Sequence, residues 1–217
     1  MLDFELTPNH AGIVLWGDYE SLRRLNTFIN HVVQESIIVP DKEGFVLRLA
    51  YDVRKAHDGQ RKEGYRNNLN ESDRCRVYGV EVLWPLLLVQ VGILRQAMSY
   101  IPTNKLHQAY MFEMEHLVES ALRVAIPNSA DAIIEQVSAI GATNYNHLSN
   151  VIDSRCRYFI GLPAMQRLNA LLPLMQSLNP MHESYYEMQN QSGLVNPLSI
   201  PPDAFETDGH EWPAIEW

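Results

Sequence analysis

The sequence predicts an α+β fold, mainly helical, with a small antiparallel β-sheet near the N-terminus packed on a bundle of six or seven helices. Three observations predict it. Apolar and polar residues alternate at 2–6 and again at 76–83, the period of a half-buried strand. From residue 19 onward apolar residues recur every three or four positions, the stripe of a helix with one buried face. Residues 86–100, within the most hydrophobic stretch Leu83 to Ile101, are apolar almost all round, which marks the central helix of a core. With 217 residues, 46% of them apolar, the chain can bury enough surface to fold without a metal or a disulfide. Residues 1–192 read as one globular domain and 193–217 as an acidic tail containing Pro and Trp.

Leu2, Phe4 and Leu6 form the first strand. Thr7 to Gly12 is turn chemistry, in which Pro8 presets φ while Asn9 and Gly12 tolerate positive φ. Ile13 to Trp16 is the returning strand. Asp18 is a natural N-cap, because its carboxylate can accept from a free N–H of the first helical turn. The helix it starts carries Leu22, Leu25, Phe28 (or Ile29) and Val32 on one face and runs to about Gln34. Ile37-Ile38-Val39 is a candidate short strand. A second helix spans Phe45 to His57, with Val46, Leu49, Ala50 and Val53 inward and Arg48 and Asp52 paired on the solvent side. Asp58 to Asp73 has no periodicity and reads as a long mobile loop.

Arg76 to Leu83 is the third strand, joining the hairpin. Pro85 suits the first turn of the central helix, where its missing N–H costs nothing. Further helices follow from Thr103 to about Ile126, from Asn128 or Ser129 to Gly141, and from Asn144 to Ile160. Met165, Leu168, Leu172 and Met175 mark another, in which Pro173 should force a kink or a restart.

Composition narrows the function classes. The net charge of -9 argues against sequence-independent binding to a phosphate backbone, so nucleic acid is an unlikely partner class. Two widely spaced cysteines, Cys75 and Cys156, fit free thiols in a reducing compartment, and the first residues lack the basic and apolar regions of a secretory signal. Gln90, Arg95 and Gln96 interrupt the most apolar stretch, so it reads as a core helix rather than a membrane span.

Charge is uneven. Asp203, Glu206, Asp208, Glu211 and Glu216 make the tail acidic, whereas Arg54, Lys55, Arg61, Lys62, Arg66, Arg74 and Arg76 outnumber the four acids among them. Phe205, Trp212 and Trp217 give that tail aromatic anchors, which purely solvating tails lack. They are candidate docking rings. Their seat is the chain's own basic segment at Arg61, Lys62 and Arg66, another protein, or a second copy of the chain.

Candidate chemistry is sparse. Glu113 and His116 have the Glu-x-x-His spacing of di-iron bundles, but there is no second such pair. The pattern reads as a charged helix face with Glu119 pairing to Arg123, and no metal or cofactor is expected. Arg24 and His31 match the Arg-to-His spacing of HEPN-type ribonucleases, in which the pair acts on an RNA phosphate. Here the helix follows a β-hairpin, unlike the all-helical HEPN bundle, so a solvated charge and a boundary histidine are the commoner reading. Arg54 and His57 share a helix face, and a histidine continuing an apolar stripe is more often a packed one than a catalyst. Neither a phosphate-binding glycine motif nor a nucleophile elbow is present.

Asn9-His10-Ala11-Gly12-Ile13, Trp16-Gly17-Asp18-Tyr19 and Leu49-Ala50-Tyr51-Asp52-Val53-Arg54 resemble an uncharacterised bacterial domain-of-unknown-function family, over about the first half of the chain. The resemblance implies a bacterial, cytoplasmic origin and no activity, cofactor or catalytic residue. The sequence therefore predicts a non-enzymatic binding or regulatory protein acting through protein–protein contacts. The alternative is a metal-independent ribonuclease using Arg24 and His31.

Overall fold

The structure, a computed structural model of the chain, describes residues 1–67, 74–194, 199–206 and 212–217. It is the predicted α+β fold. β1 (Asp3–Leu6) and β2 (Gly12–Gly17) form the hairpin; β3 (Lys62–Asn67) and β4 (Arg74–Leu83) complete a four-stranded antiparallel sheet in the order β1-β2-β4-β3. Among the described residues eight α-helices follow or interleave: α1 (Tyr19–Glu35), α2 (Phe45–His57), α3 (Trp84–Ala97), α4 (Lys105–Ala125), α5 (Ala130–Gly141), α6 (Tyr145–Gly161), α7 (Ala164–Gln176) and α8 (His182–Ser192).

The hairpin closes at Thr7, whose N–H and hydroxyl both donate to Gly12 O while its Oγ1 accepts from Gly12 N–H. Positive φ falls on His10 at 58°, not on Asn9 or Gly12. Asp18 caps α1 by accepting from Ser21 N–H at 2.8 Å, as its position predicts. Lys42 reaches back to the carbonyls of Val33 and Ser36, satisfying acceptors that the end of α1 leaves open. Residues 37–39 form turn and coil rather than a strand.

The reading of 58–73 as loop is corrected. Residues 62–67 pair with β4 in full register, from Lys62 opposite Gly79 to Asn67 opposite Arg74; residues 68–73 lie outside the described part. β3 escaped a pattern search because it is an edge strand with charge on both faces, the usual guard against edge-to-edge association. Ion pairs replace apolar alternation: Lys62 to Glu81 at 2.8 Å, and Glu63 to Arg76. Under it the Trp16 ring crosses Gly79 and Gly64. A Cβ on Gly79 would lie 2.7 Å from that ring, so the trough exists only while Gly79 has no side chain.

α3 is the centre of the core. Every residue from Trp84 to Leu94 is buried. Each large aliphatic side chain so buried contributes about 1.5–3 kcal/mol relative to exposure. α3 is in contact with β4, α1 and α2 and with α4, α5, α6 and α7. The cap of α4 is Asn104, accepting from His107 N–H at 2.8 Å, rather than Thr103. α7 runs through Pro173 to Gln176 without restarting, and its buried face holds Arg167, Leu171, Leu174 and Met175 while Met165 is exposed. The expected stripe was rotated because it left no place for an inward arginine.

Burial also gives the fold a pH dependence. His107 packs against His31 with ring centroids 4.6 Å apart and the rings tilted by 44°, and it lies near Phe28. Burial, and then the neighbouring His31, lower its pKa below the ordinary 6.5; burial lowers that of His182 as well. Above 6.5 these imidazoles are neutral in the folded and unfolded chain, and their packing is fully stabilising. Below 6.5 the unfolded chain takes up protons that the folded chain resists, so stability falls as pH drops from about 6.5. Urea midpoints measured at neutral pH and near pH 5.5 should show this loss, and His107→Phe should reduce it. An equal loss in the variant would place the effect elsewhere.

Candidate functional site

Where α2 faces β4 and the start of α3, the surface opens into a cleft of about 290 Å³. Its floor is aliphatic: Leu49 from α2, Val80 and Val82 from β4, and Leu86 from α3. Arg48, Asp52, Arg61, Glu81 and Gln90 supply the polar lining. Trp212, Ile215 and Trp217, from the far end of the sequence, form the remaining wall.

Each polar group is placed by an element already described. Arg48 and Asp52 are one helical turn apart on α2, but they do not pair. Asp52 Oδ1 accepts from Arg61 at 3.1 Å, and the Arg48 guanidinium lies over the Trp212 ring, 5.3 Å from its centroid. Among the described residues no carboxylate pairs with Arg48. Glu81 is held by Lys62 at the rim. Gln90 is 1% exposed; its amide N–H donates to Phe45 O at 2.7 Å, while its Oε1 has no hydrogen-bond partner among the described residues. An unpaired buried acceptor costs about 1–3 kcal/mol.

The aromatic segment is pinned at both ends. Trp212 Nε1–H donates to Asp153 on α6. At the other end Arg167, 3% exposed, donates Nη1 to Glu216 O at 2.7 Å. The same guanidinium donates to Asn9 O, Ile160 O and Leu162 O. A buried cation satisfied wholly by main-chain carbonyls thus joins the β1–β2 turn, the end of α6 and the C-terminal segment.

Of the residues singled out from sequence, Arg61, Trp212 and Trp217 meet in this cleft, with Lys62 at its edge. Arg66 pairs instead with Asp3. Phe205 is buried apart from the cleft, beneath Arg155 at 3.9 Å and edge-on to Tyr158, so it anchors the chain rather than lining the site. Arg24 is bound to Glu20 at 2.9 Å and His31 packs on His107, so each has its own partner. Arg54 lies over Tyr51; His57, its side chain 8% exposed, packs edge-on against Tyr19 beside Asp58. Glu113 accepts from Leu2 N–H, a structural task, and Arg123 pairs with Glu119 as expected. Cys75 is exposed and Cys156 buried, and burial pushes the Cys156 thiol up in pKa. Among the described residues no helix is long and apolar enough to cross a membrane.

Sequence reasoning missed Arg48, Gln90 and Arg167 as site residues. For Gln90 a signal existed, an uncharged polar residue inside an otherwise apolar helix. Arg167 gave none. A protein-family model described as a domain of unknown function, DUF6904, matches residues 2–217, whereas no curated protein and no solved structure matches the chain.

Proposed function

The chain belongs to DUF6904, a domain of unknown function, and from that premise we propose that it is a non-enzymatic binding protein of a reducing, cytoplasmic compartment, with the cleft behind its C-terminal segment as the recognition site. The observation that carries this reading is a cleft with an aliphatic floor that holds Arg48, a cation with no carboxylate partner among the described residues. Binding is favoured over catalysis because the carboxylates of the cleft are engaged, Asp52 by Arg61 and Glu81 by Lys62. The nuclease reading of Arg24 and His31 gains no support from their contacts.

The site lies directly behind residues 212–217. Occupation of the cleft would therefore alter the aromatic, acidic surface that the protein offers to another protein, which makes the binding regulatory. The test uses the four indole N–H resonances, with Trp212 and Trp217 assigned through Trp→Phe variants. Free amino acids, small carboxylic acids, amines, sugars and nucleosides are added in turn. The expected result is a saturable shift of Trp212 and Trp217 with Trp16 and Trp84 unmoved. No response to any class refutes the reading.

A further inference from the structure

α3 and α5 meet backbone to backbone. A Cβ on Gly92 would lie 2.6 Å from Val137 O, and one on Gly141 2.7 Å from Gly92 O, so the contact exists only while both positions are glycine. Helices that touch at one point and are not parallel separate away from it. Beside this contact the space is unfilled: α3, α4 and α5 enclose a pocket of about 130 Å³ that shares no lining residue with the cleft.

The lining sets the chemistry. Val91 from α3, Val118 and Leu122 from α4, and Ile134 and Val137 from α5 make it mainly aliphatic. Val91, Val118 and Leu122 are buried, whereas Ile134 and Val137 are half-buried and within reach of an incoming molecule. The charged side chains of the lining already have partners. Arg95 donates to Glu115 and, at 3.1 Å, to Gln108, and Glu119 pairs with Arg123 at 3.2 Å. A charged ligand would lose its water here and find no unmatched charge in return. A protein partner is disfavoured by the same residues, because the cores of protein interfaces are depleted of charge, and Arg95, Glu115 and Glu119 all line this pocket.

We propose that this pocket is a second binding site, independent of the cleft, and that its ligand is a small uncharged apolar molecule about the size of one benzene ring. The size follows from the volume, since an apolar cavity of roughly 150 Å³ admits benzene. Such pockets, mainly apolar with a few polar groups at hand, are what small-molecule sites are made of. A molecule seated there touches three helices of the core at once and stabilises the folded chain by mass action.

The experiment titrates the full chain with benzene and follows the Val, Leu and Ile methyl resonances together with Tm. Saturable shifts are expected at Ile134 and Val137, with none at Leu49, Val80 and Leu86 in the cleft, and Tm should rise with benzene concentration. Benzoate and benzylamine carry the same ring with a charge of either sign and should bind at least about tenfold more weakly. Ile134→Phe and Val137→Phe each place a ring in the pocket from a half-buried wall, and each should weaken benzene at least about tenfold. The two are made in parallel, so that one folded variant suffices. Shifts that stay linear, or that survive in the folded variants, overturn the proposal, as does a charged ring that binds as tightly as benzene. A response confined to the cleft also overturns it, while leaving the reading of the cleft in place.

Discussion

Arg167→Met is expected to destabilise the protein by about 3–5 kcal/mol and to release the C-terminal segment. The guanidinium donates to four main-chain carbonyls, Asn9, Ile160, Leu162 and Glu216, at 2.7 to 3.1 Å. Methionine fills much of the volume and donates nothing. An acceptor left buried and unpaired costs about 1–3 kcal/mol; Glu216 O can regain water if the segment lifts, the buried Ile160 O cannot. For a chain of this length each kcal/mol lowers Tm by about 2–4 °C, so a drop on the order of 10 °C is expected. The emission of Trp212 and Trp217 should shift to the red in the same variant. Arg167→Lys should fare little better, since a compact ammonium with three donors cannot span carbonyls arranged around a planar fork. A variant with wild-type Tm and unshifted emission would show that the clasp contributes nothing.

Gly12→Val should be at least as damaging, by a different route. Gly12 opens β2 opposite Leu83, and a Cβ there would lie 1.9 Å from Val82 O and 2.8 Å from Val82 C. Both obstacles are backbone of the neighbouring strand, so no side-chain rotation relieves them. The β2–β4 ladder must open where it passes into α3. Overpacking in a core typically costs 1–3 kcal/mol; with backbone as the obstacle about 3 kcal/mol or more is expected, a fall in Tm of about 6–12 °C. Gly161→Ala is the matched control, because a Cβ there meets nothing within 4 Å. It should change stability by less than about 1 kcal/mol, in the stabilising direction. Thermal melts of the two variants side by side test the assignment; similar melting points would refute it.

Elements with a buried stripe were legible before the structure. α1, α2 and α6 announce themselves because one face of each meets the core, α3 because it is buried all round, and the hairpin because its turn needs particular residues. β3 was illegible for the opposite reason: it buries little, and its partners Glu81, Arg76 and Asp3 stand elsewhere in the chain. The inward face of α7 was misjudged because a stripe search counts apolar residues and Arg167 reads as solvent-facing. For the site, the sequence supplied the aromatic rings and Arg61 but not their meeting place. Arg48, Gln90 and Trp212 come from three distant segments, and nothing local to any of them encodes the other two. Phe205 and Trp212 pack at different places, against Arg155 and Tyr158 and against Arg48 and Asp153 respectively.

The Arg167 clasp has a temporal consequence. Its contacts reach 158 residues back to Asn9 and 49 residues forward to Glu216. Contacts this far apart along the chain form late, after the helices that hold the arginine have already packed. The segment 212–217 is therefore the last piece to arrive during folding and the first to leave under native conditions, opening as a unit without unfolding the core. Amide exchange at Ile215 and Trp217 should run orders of magnitude faster than at Leu88 in α3. The state so exposed is one in which the side of the cleft walled by Trp212, Ile215 and Trp217 meets open solvent.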